Sequence, residues 1–176
     1  SFVIYDTQDQ LSLIKECIKE CGLREDSFKP SSVLSAISGA KDKLLNPKAF
    51  EARYFNDFRL SKISKVYDLY QRKLKSNNAL DFDDLIFKTV ELLKTDEFVR
   101  DFYQRKFQYV MVDEYQDTNH AQYVLINLLS EMHKNLCVVG DDDQSIYGWR
   151  GADIANILDF EKDYKDAFVV KLEQNY

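Results

Sequence analysis

Glycine is scarce: five in 176 residues, at positions 22, 39, 140, 148 and 151, and none is followed by lysine. The chain therefore holds no G-x-x-x-x-G-K-[ST] loop, whose backbone N–H groups would cradle nucleotide phosphates. Cysteine occurs three times, at 17, 21 and 137. An odd number set inside apolar patterns argues for buried thiols and against a disulfide framework. Histidine occurs twice, at 120 and 133, far in sequence from the Cys17–Cys21 pair, which excludes the spacing of a zinc site. No apolar run approaches a membrane span and no signal-peptide pattern opens the chain, so a cytoplasmic protein is expected.

What is present suits a globular protein. With 45% hydrophobic and 14% aromatic residues, the length allows one or two small domains around a sizeable core. The formal net charge of −6 at first argues against a nucleic-acid partner. Its distribution says otherwise: residues 1–80 carry fourteen Lys and Arg against ten Asp and Glu, whereas residues 81–176 carry ten against twenty. The mildly basic first half and the strongly acidic second half are expected to do different jobs.

Phe2-Val3-Ile4-Tyr5 reads as a short strand, and Asp6 or Thr7 can cap a helix striped by Leu11, Ile14, Ile18 and Cys21 and ended by Gly22. Ser31 or Ser32 is expected to cap a second helix over Val33 to Leu45, stopped near Pro47. One longer helix is expected over about 49–75, with Phe55, Phe58, Ile63, Tyr67, Tyr70 and Leu74 inward. Its other face carries Arg59, Lys62, Lys65, Arg72, Lys73 and Lys75, a pattern that suits either a solvated surface or phosphate contact. Ser76-Asn77-Asn78 reads as a linker. Asp81 then caps a helix with Phe82, Leu85, Ile86, Val90 and Leu93 inward, and Asp83 and Asp84 suit its first turn electrostatically. A short helix from Asp96 to Lys106 follows.

The stretch from Phe107 to Asp153 carries the chemistry. Two apolar runs, Tyr109 to Val112 and Leu136 to Val139, each stop at a carboxylate-rich cluster. Between them Ala121, Val124, Leu125, Leu128, Leu129 and Met132 fall on one helix face. A strand–helix–strand unit of this length joins parallel strands, and ligands gather beyond the carboxyl ends of such strands. Asp113-Glu114 and the segment from Gly140 to Gln144 are thus expected on one edge, able to grip one ligand. An aspartate there can hold Mg²⁺, directly or through water, while the adjoining glutamate orients and deprotonates a water attacking a phosphate. Gln144 can donate to a phosphoryl oxygen. Tyr147, Trp149 and Arg150 suit the flat bases and charged backbone of single-stranded nucleic acid. A short helix from about Asp153 to Phe160 and a third strand, Phe168 to Leu172, are expected to follow.

At these residues the sequence resembles a known family. DEYQDTN at 113–119 and VGDDDQSIYGWRGAD at 139–153 look like motifs II and III of UvrD/PcrA/Rep-type superfamily 1 DNA helicases. LEQNY at 172–176 looks like the opening of motif IV, and LDFDDL at 80–85 also matches a segment of that group. The resemblance implies an α/β fold: a partial RecA-like (P-loop NTPase type) parallel sheet with helices, preceded by an all-helical inserted subdomain. Residues 1–7 would be a strand of the first motor domain, 8–78 the helical insertion, and 79–176 the C-terminal part of the motor domain.

The resemblance further implies ATP and Mg²⁺ as cofactors and single-stranded and duplex DNA as partners, with repair or replication proteins beside them and no membrane. Asp113 would hold Mg²⁺, with Glu114 nearby as general base. Gln144 would sense the γ-phosphate and Arg150 would link the nucleotide site to the DNA-binding loop. Trp149 would stack on a base, with Tyr147 a second platform, and Lys41, Lys43 and the helix cations would meet DNA phosphates. The intact protein would be an ATP-dependent 3′–5′ DNA helicase. Without a phosphate loop the chain reads as an excised piece, and the fragment alone is expected to be inactive. Two alternatives stay open: a helicase–nuclease subunit, or a non-catalytic relative serving as a DNA- or protein-binding module.

Overall fold

The computed structural model describes residues 1–141, 152–153, 155–158 and 160–171. The chain opens with β1 (Val3–Ile4) and passes through four helices, α1 (Thr7–Glu20), α2 (Pro30–Asp42), α3 (Pro47–Tyr54) and α4 (Phe58–Ser76). It then returns to β2 (Ala79–Leu80), which lies parallel beside β1 with Val3 opposite Ala79 and Ile4 opposite Leu80. The four helices are thus inserted between two neighbouring strands. The sequence pattern marked 76–78 as a linker and gave no sign of β2.

The start and stop signals behave as local chemistry requires. Asp6 caps α1 through a reciprocal capping box with Asp9. At the other end Gly22 takes φ +67, and the N–H groups of Gly22 and Leu23 donate to the carbonyls of Lys19 and Ile18. That pair of bonds closes the helix in a left-handed turn that suits glycine. The second helix starts earlier than the serines suggested. Pro30 occupies its first turn, where a missing N–H costs nothing, and no side chain caps it. The single helix expected over 49–75 is two helices. Asp57 adopts an extended conformation and accepts from the N–H of Leu60 at 2.8 Å, which starts α4 afresh. The break leaves Phe55 and Phe58 exposed instead of inward.

One apolar cluster unites these helices: Leu13, Ile14, Cys17 and Ile18 of α1, Val33, Ile37 and Ala40 of α2, Phe50 of α3, and Ile63, Val66, Tyr67, Tyr70 and Leu74 of α4. Tyr67 keeps its hydroxyl satisfied by donating to the carbonyl of Leu45 at 3.1 Å, as a buried phenol must.

The second half begins with α5 (Phe82–Thr95), capped by Asp81 through a box with Asp84, and α6 (Glu97–Lys106), capped by Asp96. Phe87, Val90 and Leu93 face inward, but Phe82, expected inward, is exposed because it occupies the first helical position beside the cap. Next come β3 (Val110–Val112), a 3-10 turn (Tyr115–Asp117), α7 (His120–Ser130) and β4 (Leu136–Val138). Strands β3 and β4 are parallel neighbours, Val110 opposite Leu136 and Val112 opposite Val138. Helix α7 packs against α5, α6, α2 and β3. Within the expected helix after Asp153, the described residues are helical over α8 (Ala155–Leu158) and α9 (Phe160–Asp163), and residues 154 and 159 lie outside the described residues. Residues 168–171 form no strand and are exposed, because no described strand runs beside them to share a ladder; Leu172 lies outside the described residues. Cys17 is buried as expected, whereas Cys137 is exposed.

Candidate functional site

The site grows from the ends of β3 and β4. Asp113 and Glu114 follow β3 directly and both are exposed. The Asp113 Oδ1 accepts from the N–H of Glu114 at 2.9 Å. Glu114 itself sits in the left-handed region, φ 50 and ψ 42, a conformation that costs a non-glycine residue about 1 kcal/mol. The turn has a structural return. It swings the N–H of Tyr115 onto the carbonyl of Val139, 2.9 Å away, while the N–H of Val139 donates to the carbonyl of Val112 at 2.8 Å. The hydrogen-bond ladder between the two strand ends therefore continues through the acidic turn, and Asp113, Glu114, Gly140 and Asp141 leave on one edge.

Below the carboxylates lies Gln116, only 1% exposed. Its Nε2 donates to Glu114 Oε2 at 2.7 Å, and its Oε1 accepts from the N–H of Asp141 at 3.1 Å. Beside it Tyr115 is fully buried edge-on to Phe160, and burial pushes its hydroxyl above the usual phenol range. Thr118 holds the far end of the turn: its carbonyl accepts from the N–H of Asp153 and from the side chain of Asn156, both at 3.0 Å. Asn119 caps α7 through a box with Gln122.

The turn is also tied to the inserted helices. Asn119 Nδ2 donates to Asp42 Oδ1, at the end of α2, at 2.8 Å. Burial, then the charge of Asp83, raise the Asp42 carboxyl to about 6, against a smaller opposing pull from Lys43. Asp83 is likewise raised, chiefly by burial.

The expected DNA contact at Lys41 is corrected. Lys41 is 1% exposed, with its Nζ 2.6 Å from Asp81 Oδ2 and 3.0 Å from Asp84 Oδ1. The Tyr70 hydroxyl donates to the same Asp81 oxygen at 2.9 Å, and Gln71 donates to Asp84 at 3.1 Å. A cation so enclosed neutralises buried carboxylates and cannot meet a phosphate in solvent. Parts of the basic face of α4 are engaged too: Lys73 pairs with Glu16 and Glu20, Arg72 with Asp68, and Arg59 donates to the carbonyl of Ser27 while lying 5.1 Å over the Phe28 ring. Lys43, Lys65 and Lys75 are exposed. Gln144, Tyr147, Trp149 and Arg150 lie outside the described residues.

Sequence reasoning missed Gln116, the Lys41–Asp81–Asp84 cluster and the Asp42–Asn119 bond. Gln116 stands two residues from Glu114 within a marked motif, but only the folded turn shows what its amide joins. Among the described residues no helix is long and apolar enough to cross a membrane, and no three His, Cys, Asp or Glu side chains form a cage for a metal ion.

Known proteins resemble this chain along its whole length. The chain is 55% identical over all of its 176 residues to an ATP-dependent DNA helicase PcrA of Bacillus subtilis (strain 168). It is 52% identical to the protein of that name from Staphylococcus aureus (strain Mu50) and 51% identical to the one from Staphylococcus epidermidis, again over its full length. In each case it spans 24% of the relative's length. Residues 1–165 match the UvrD/REP helicase N-terminal domain. With parallel strand ends carrying Asp113 and Glu114 and a match over nearly its whole length, the chain belongs to the UvrD/REP helicase N-terminal domain family.

Proposed function

We propose that the intact protein is an ATP-driven motor that moves 3′ to 5′ along single-stranded DNA and separates the duplex, and that this chain supplies part of its first RecA-like domain. The observation that carries the reading is the shared edge: Glu114 and Asp141 leave adjacent parallel strands and are joined through one glutamine. The relatives named above are called ATP-dependent DNA helicases, and the likeness spans every residue of this chain. In the same reading residues 1–7 and 79–176 belong to the motor and 8–78 form a helical insertion.

The donor set fits a hard cation. Asp113 and Glu114 offer only carboxylate oxygens, and Asp113 keeps Oδ2 clear of the bond that Oδ1 accepts. Two carboxylates, with no third His, Cys, Asp or Glu grouped with them among the described residues, suit Mg²⁺, which retains water and takes phosphate oxygens. Asp113 would hold the ion, and when bound it supplies charge neutralisation at the transferring phosphoryl group. Glu114 would orient a water molecule and take its proton. Gln144 would meet the γ-phosphate, and Arg150 would carry the change to Trp149 and Tyr147, which stack on bases at roughly 1–3 kcal/mol each. Lys43, exposed at the end of α2, remains the insertion's candidate phosphate contact. Cytoplasmic action beside repair or replication proteins belongs to the same proposal.

The test is Glu114→Gln in the full-length protein. Nucleotide binding is expected to persist while DNA-stimulated turnover falls about 10²- to 10⁴-fold, the usual contribution of a positioned base. Unchanged turnover would refute the assignment.

A further inference from the structure

We propose that Gln116 is the positioning residue of the hydrolytic site: it fixes the Glu114 carboxylate and ties it to the backbone that opens the loop after β4. The inference rests on the reading of Glu114 as the base. Gln116 touches neither nucleotide nor water in this scheme; it acts through Glu114.

The geometry leaves its amide only one orientation. The N–H of Asp141 can only donate, so the oxygen of Gln116 must face it, at 3.1 Å. The nitrogen is then left to Glu114 Oε2, at 2.7 Å. Turning the amide over would set an NH₂ against an N–H and an oxygen against a carboxylate oxygen, losing both bonds at a site with little water to replace them. Gln116 is 1% exposed and lies on the 3-10 turn Tyr115–Asp117, whose Tyr115 and Thr118 neighbours are buried. Its side chain therefore has almost no freedom, while the carboxylate it holds is exposed. An exposed glutamate has several rotamers and loses side-chain freedom on being ordered; a rigid buried donor beneath it selects one of them. Because the other end of the same amide is held by Asp141, a shift of that backbone moves the donor and with it the carboxylate. The coupling needs no other part: the two loop ends share one planar group.

Two variants of the full-length protein separate positioning from packing. Gln116→Leu removes both hydrogen bonds at similar volume. Gln116→Glu keeps the acceptor for Asp141 N–H but loses the donor toward Glu114 and puts a like charge there. In steady-state ATPase assays Gln116→Leu is expected to lower kcat roughly 10- to 100-fold, the scale of a misplaced catalytic group. KM, and the affinity for a fluorescent ATP analogue, are expected to stay within about threefold of the parent, since uniform binding is untouched. Gln116→Glu, which sets a second carboxylate against Glu114, is expected to lose at least as much kcat near neutrality. A packing role would not give the kcat–KM split: it would lower nucleotide affinity and melting temperature together.

Parent-like kcat in both variants overturns the proposal. So does a joint loss of nucleotide affinity and melting temperature, which makes Gln116 structural only. Glu114→Gln is run alongside: if it retains turnover, the reading of Glu114 fails and takes this inference with it. If Glu114→Gln is inactive while both Gln116 variants turn over normally, only this inference fails.

Discussion

Replacing Lys41 with methionine probes a buried cluster of one cation and two carboxylates. The Lys41 ammonium lies 2.6 Å from Asp81 and 3.0 Å from Asp84, all three side chains being about 1% exposed. Methionine fills most of the lysine stem's volume, so the change removes charge more than packing and leaves two carboxylates facing each other out of water. Breaking a buried pair in this way costs about 3–5 kcal/mol. With an m-value of about 2 kcal/mol per molar, the urea midpoint of the chain should fall by about 1.5–2.5 M, followed by far-ultraviolet circular dichroism. The triple variant Lys41→Met, Asp81→Asn, Asp84→Asn discriminates the cause. Asparagine still accepts at a helix start and can still accept from Tyr70, so the triple variant is expected to recover more than half of the loss. A midpoint shift under about 0.5 M for Lys41→Met, or a triple variant as weak as the single one, would refute the electrostatic account.

Three further outcomes follow from other parts of the fold. Because Asp42 titrates at about 6 in the folded chain against an ordinary 3.8, folding favours its protonated form; that stability is full below 3.8 and is lost as pH rises through 6. Asp42→Asn keeps an acceptor for Asn119, so it is expected to be more stable than the parent near neutral pH and equal to it in acid; parallel urea midpoints across that range would refute the burial argument. Lys134 is exposed and holds φ 54, so Lys134→Gly is expected to raise stability by up to about 1 kcal/mol in the same urea assay, and a lower midpoint would count against strain there. Burial pushes the Cys17 thiol up to about 12, whereas Cys137 is exposed. Alkylation of the native chain at about pH 8 is therefore expected to label Cys137 and spare Cys17 until urea is added, and peptide mass analysis reads the order.

Some of this protein was determined by the sequence alone. Helix starts at Asp6 and Asp81 and the stop at Gly22 follow from chemistry within four residues, as do the two apolar runs that became β3 and β4 and the helix between them. The same holds for Asp113 and Glu114 as candidates, since an apolar strand ending in paired carboxylates is a local pattern. What the tertiary structure decided lies at longer range. Strand β2 is two residues long and exists because β1 runs beside it, a pairing across more than seventy residues that no local period reveals. Lys41 carries the same charge as Lys43, and only packing against α5 made one a buried counter-ion and left the other in solvent. Gln116 is the sharpest case: its neighbours in sequence mark a motif, but the N–H that fixes its amide belongs to Asp141, brought alongside by the parallel ladder. Periodicity and capping act between residues a few positions apart and can be read in order. Burial and hydrogen-bond partnership depend on which distant segment arrives, and that is settled only when the chain is folded.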